Sequence, residues 1–449
     1  MKRTLALVLA LVLILATGAS AFAETVRIAW LSWSDRDTLD PISGIVNKGT
    51  QAFVELLKQK FPGTDFEIIS VPGDGWIQKM ETTLMSGEAD IGWYTNQVLA
   101  ANWFIDHREF MAKDPSFTEA TFEATFTPGA KQYTRYHTYD FPESAGAIYG
   151  LPYDVGAYWI MYDKVLLEQW GVTWPEGPVS YQQICEMAQK MTGTNPVTGK
   201  TNFGAYIKPF WCEWLGVGAD LYHPISDSTM DITKLDIAKD VDYIKDSPEV
   251  LAYFQTLEAL VKCAPAGAAA GTGAEKWLTE DNDIAIMMDT NSSNIYLKHV
   301  LANNAAVVDR FIPVMLPVGS QQVAGFPEVH HVAVAKQAKN PDLAWQVVKT
   351  IATDKDMLNL VFDNYAYASV PALADPSGIN IMNIPFTAQR YQDRLEHTLI
   401  SDDYWYWREP INKVFSSLFS GELTPETARE AFYNNVVEWV ANKKLQLGK

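Results

Sequence analysis

The 449-residue chain carries 54 acidic against 35 basic side chains, a formal charge of −19. So acidic a surface repels phosphate backbones and anionic lipid headgroups, which argues against nucleic acid and membrane surfaces as partners. The length suits two to three domains, each with a substantial core. Its three cysteines, Cys185, Cys212 and Cys263, show neither zinc nor CxxC redox spacing and are expected to be buried and inert.

Lys2 and Arg3 precede an apolar run from Leu5 to Ala16, and Ala21-Phe22-Ala23 supplies a small–x–small cleavage pattern. These features predict a signal peptide over residues 1–23 and a mature start at Glu24. The run is short for a membrane span, and no cysteine near the cut offers a lipid attachment point. A soluble periplasmic protein is expected.

Strand and helix patterns then alternate. Val26 to Leu31 reads as a buried strand, Asn47 to Lys60 as an amphipathic helix, and Phe66 to Val71 as a second strand. Trp76 to Ser86 reads as a helix closed by Gly87, and Ala89 to Tyr94 as a third strand. This β-α-β-α-β order predicts a parallel, doubly wound sheet, in which ligands bind beyond the carboxyl ends of the strands. A second α/β unit begins near Tyr158, with helices from Tyr181 to Met191 and from Ser247 to Lys262, and a strand from Ile284 to Asp289. Glu328 to Ala335 reads as another strand, and Asn340-Pro341 opens a long amphipathic helix. Thr424 caps a final helix running towards Trp439. The fold class expected is α/β, in two lobes.

Catalytic signatures are missing. The chain has no G-x-S-x-G, H-E-x-x-H or glycine-rich phosphate loop. The acid pairs Asp281/Asp283 and Asp402/Asp403 read as solvated loop residues, and a glycosidase would need two carboxyls held across a bond. His330 and His331 are adjacent on a predicted strand, so they point to opposite faces and do not chelate a metal. No catalytic residue, metal or cofactor is expected.

From Tyr149 to Lys164 the sequence reads Y-G-L-P, an apolar strand, then Y-D-K opening a helix. This resembles the Y-G-x-P…Y-N-K pattern of the family 1 extracellular solute-binding proteins, the group that includes maltodextrin-binding proteins, with Asp163 in place of the usual Asn. The segments Val332 to Trp345, Ala368 to Ala372 and Gly421 to Ala428 resemble that family's later strand–turn–helix, small-x-P-A and G-x-x-T-P-E-x-A motifs. The resemblance implies a bilobal periplasmic-binding-protein fold, two doubly wound α/β lobes joined by hinge crossovers. Lobe one would be residues 24–150 and 326–372, and lobe two residues 151–325 and 373–449. It further implies a monomeric capture component of an ABC importer, closing on a small-molecule solute and delivering it to permease subunits in the membrane.

A carbohydrate is the expected ligand, because sugars need planar aromatics for stacking and short polar groups for directed hydrogen bonds. The chain holds 15 Trp, 20 Tyr and 20 Phe, several of them beside polar groups at predicted strand ends. Candidates are Trp33, Ser34 and Asp35 after the first strand, Tyr94 and Asn96 after the third, and Tyr153 and Asp154 in the first crossover. Asp289 and Asn291 follow the Ile284 strand, and Trp211 belongs to the second lobe. Trp76, Trp405, Trp407 and Arg408 fall where the resemblance places cleft-facing residues; Trp405 and Trp407 are favoured as sharing one face. Trp30, Trp93 and Trp159 read as core. A polyamine, an organic anion or another non-sugar solute fits the same fold, as, less well, does a secreted carbohydrate-active enzyme.

Overall fold

The computed structural model describes residues 24–95, 97–135, 142–156, 159–209, 232–289, 292–317, 328–364, 369–397 and 404–446. Val26, Ile28 and Trp30 point alternately into the core along strand β1 (Glu24–Leu31). A short hairpin follows, β2 (Thr38–Leu39) and β3 (Val46–Asn47), then β4 (Thr64–Val71) and β5 (Ile91–Tyr94). Next come β6 (Leu151–Gly156), β7 (Ile160–Asp163), β8 (Gly193–Thr194) and β9 (Thr201–Tyr206). The series ends with β10 (Ile284–Met287), β11 (Phe311–Val314), β12 (Val329–Val334) and β13 (Ser369–Pro371).

Two larger sheets result. The first has six strands in the order β13-β6-β12-β5-β1-β4, the second five in the order β11-β7-β10-β9-β8. As expected, β1 runs parallel to β4 and β5. Strand β12 is antiparallel to both β5 and β6 and lies between them, so the chain returns from the second sheet to complete the first. Strand β6 is hydrogen-bonded within the first sheet. The passage between sheets therefore falls between Gly156 and Ile160, later than the boundary at residue 150 that the resemblance implied.

The helices follow the sequence closely. Thr50–Lys60 packs on β4, and Trp76–Met85 ends ahead of Gly87, whose φ of +73° suits a residue without a side chain. Asn340 and Thr424 cap their helices by accepting from the backbone N–H groups of Leu343 and Thr427. The final helix, Pro425–Gln446, runs past Trp439 and packs against Tyr404–Phe419 and Pro248–Lys262, covering the second sheet's side of the molecule. Cys185 and Cys263 are buried free thiols, while Cys212 lies outside the described residues. Among the described residues no helix is long and apolar enough to cross a membrane.

Candidate functional site

Strands β1, β4, β5 and β6 all finish on one edge of the first sheet, and antiparallel β12 starts there. Backbone ends and short loops leave side chains at such an edge free to face a ligand. The turn after β4 reaches Gly75 at φ +66°, and Trp76 then opens its helix half-buried. Its ring meets Trp93 edge-on, centroids 5.4 Å apart and planes at 74°. The Trp93 indole N–H donates to the Tyr153 hydroxyl at 2.8 Å, joining β5 to β6. His330, near the start of β12, lies 5.1 Å from the Trp93 ring and 6.2 Å from that of Tyr153.

Two carboxylates flank this imidazole. His330 Nδ1 is 2.7 Å from Asp154 Oδ1, and Nε2 is 3.7 Å from Glu328 Oε1. Burial disfavours charge on His330, but Asp154 and Glu328 outweigh it and lift the imidazole to about 10. The two carboxylates favour its protonated form. The register of β12 against β6 shifts between His330 and His331, and the two rings part company. His331 is fully buried, its Nε2 2.9 Å from Thr134 Oγ1. The opposite faces expected of the pair are present.

On the second sheet, β9 and β10 are parallel and are followed by Lys208 and Asp289, whose Nζ and Oδ2 pair at 2.6 Å. This ion pair occupies the carboxyl end of its sheet, the position that the aromatic cluster holds on the first.

Of the residues singled out in the sequence, Trp76, Tyr153 and Asp154 come together in the cluster, and Asp289 sits on the second sheet's edge. Trp33 is instead core. Its ring packs 4.9 Å from Phe53 and 5.6 Å from Trp30, and its N–H donates to Lys48 O at 3.1 Å. Tyr94 is likewise fully buried, stacked between Phe104 and His331. Trp33 follows Ser32, whose φ of +48° turns the chain out of β1, and Tyr94 is covered by His331 of β12. Ser34 and Asp35 are exposed on the loop, with Ser34 Oγ donating to Arg36 O. Asn96, Trp211 and Asn291 lie outside the described residues. Positions 405, 407 and 408 fall in the first turns of Tyr404–Phe419.

Sequence reasoning missed four participants: Glu328, His330, Lys208, and Trp93 as a hydrogen-bonding member. Glu328 and His330 had a usable signal, polar residues two apart entering an otherwise apolar strand, which puts both on one face.

Comparison with known proteins shows the family. Residues 45–358 match the family described as bacterial extracellular solute-binding protein. The chain belongs to that family. Solved structures agree on the fold. An ABC substrate-binding protein from Listeria monocytogenes, in complex with cycloalternan, is 14% identical with a TM-score of 0.65, covering 92% of this chain and 98% of its own. Maltose-bound MalE3 of T. maritima is 16% identical with a TM-score of 0.63, covering 92% and 99%. A solute-binding protein from Agrobacterium vitis S4 with bound D-mannitol is 17% identical with a TM-score of 0.62, covering 94% and 99%. A search of curated proteins gives no match. In doubly wound α/β sheets the carboxyl edges are where ligands bind.

Proposed function

We propose that this solute-binding protein captures a carbohydrate or polyol between its lobes and presents it to the permease of an ABC importer. One observation carries the reading: the half-exposed Trp76 ring, backed by Trp93, stands in the same cluster as His330 with its Asp154 and Glu328 partners. An aromatic face takes the apolar C–H side of a sugar, while an imidazolium and carboxylates donate to and accept from its hydroxyls. The sugar and polyol complexes among the structural relatives point the same way. Closure follows because the solute touches both walls only when the lobes are together, so its affinity for that state shifts the population. The protein acts after cleavage at Ala23, as a periplasmic monomer, without a cofactor and without a chemical step.

A thermal-shift screen of the chain from Glu24 onward, against sugars, polyols, polyamines and organic anions, tests the reading. At a hundred times its dissociation constant a ligand adds about 2.7 kcal/mol to stability. A shift with a sugar or polyol supports the proposal. A shift confined to polyamines or anions replaces the ligand class and leaves the capture role standing.

A further inference from the structure

The chain does not run directly from β1 to its first helix but detours through the β2–β3 hairpin, where burial is inverted. Leu39, Ile42, Ile45 and Val46 are exposed, whereas the charged Asp40 is only 6% exposed. One carboxylate oxygen of Asp40 builds the turn, accepting from the N–H groups of Ile42 and Ser43 at 3.0 and 2.8 Å and from Ser43 Oγ at 3.0 Å. The other oxygen accepts from Lys298 Nζ at 2.5 Å. Lys298 sits on the helix Ser292–Leu301, which packs against β7 of the second sheet. The hairpin follows β1 of the first sheet, and β3 packs against the helix Lys355–Asn364, which also contacts the first helix, Thr50–Lys60. The ion pair thus spans 258 positions and bridges the two lobes.

We propose that Asp40 and Lys298 form a latch between the lobes, a pair of positioning residues that sets how tightly a solute is held without touching it. The pair has its geometry only while the lobes are together, so its attraction is added to the closed state alone and biases the open–closed equilibrium. Apparent solute affinity scales with the closed population. Burial opposes the charge on Asp40, but Lys298 and the Ser43 donors overcome it and hold the carboxyl down at about 2, so the anion persists through the neutral range. Burial lowers the imidazole of His299, the next residue, against the opposing pull of Asp40. Lys298 remains 31% exposed, which leaves the attraction open to salt screening.

Small-angle X-ray scattering of the ligand-free mature chain at low and high salt tests the latch. Because no solute is present, the outcome is independent of which ligand the cleft takes. Lys298→Met should raise the open-to-closed ratio roughly three- to tenfold and abolish its salt dependence. Asp40→Asn, which keeps an acceptor for the turn, should do the same, while Lys298→Arg should restore the wild-type profile. Lys298→Gln repeats the test should the methionine variant unfold. Scattering and salt response unchanged in both Lys298→Met and Asp40→Asn would overturn the latch.

Discussion

His331 lies flat on Tyr94, ring centroids 4.6 Å apart and planes 13° from parallel, in the buried centre of the first lobe. Burial is the main reason its imidazole is held well below the ordinary 6.5, with the charge on His330 adding to the effect. His107 nearby accepts the Val334 N–H through Nε2, and burial lowers it to about 3. Both rings are neutral in the fold and free to protonate once unfolded. For a base whose folded value is depressed, stability is complete above the unfolded value and declines as pH falls through it. Urea unfolding should therefore show stability dropping below about pH 6.5 and continuing to fall towards pH 3. His331→Gln should flatten that slope, and an unchanged slope would assign the acid sensitivity elsewhere.

His330 behaves in the opposite sense. Its folded value is raised, so the stabilisation from Asp154 and Glu328 is complete below 6.5 and is lost only as pH climbs towards 10. NMR titration of the histidine ring signals should find this imidazole still protonated at pH 8. In Asp154→Asn the midpoint should move down by more than one pH unit.

Trp76 offers the largest open aromatic face in the cluster. Trp76→Ala should weaken solute binding on the order of 10- to 100-fold, the usual cost of removing a stacked tryptophan, with little change in thermal midpoint. Isothermal titration against the solute found in the screen measures this. Affinity within twofold of wild type would move the stacking platform elsewhere.

Gly204 in β9 lies against the helix Tyr181–Lys190. A side-chain carbon there would collide with Ala188 O, and the Gly204 N–H donates to Thr192 Oγ1 at 3.1 Å. Gly204→Ala should cost roughly 3 kcal/mol through overpacking, seen as a lower urea midpoint.

The strands and helices of the first lobe were legible because their apolar patterns are local: an alternating β1, a buried β5, and caps at Asn340 and Thr424. The β2–β3 hairpin was not. Its strands have two residues each and its aliphatic side chains face outward, leaving only Asp40-Pro41 and Ser43-Gly44 as turn signals. Within the site, Tyr153 and Asp154 were legible as an aromatic and an acidic residue in the first crossover, and Trp76 through the family resemblance. Tyr94 has the same local character, yet β12 covers it from far along the chain. Such burial is tertiary, and no nearby residue announces it. His330 showed only as a polar residue entering an apolar strand, since its role depends on an aspartate that a different crossover brings to it.

The position of β12 between β5 and β6 also governs the order in which the molecule can be made. Strand β5 lacks its full set of sheet hydrogen bonds until residue 334 of 449 has emerged, and β6, which also pairs with β13, until residue 371. A chain delivered from its N-terminus therefore holds its first lobe unfinished for most of its synthesis or transit. Pairings this distant fold slowly, because loop closure must precede any reward from contact. The second sheet has all its strands by Val314, so it can form first and serve as the surface against which the earlier-made lobe is completed.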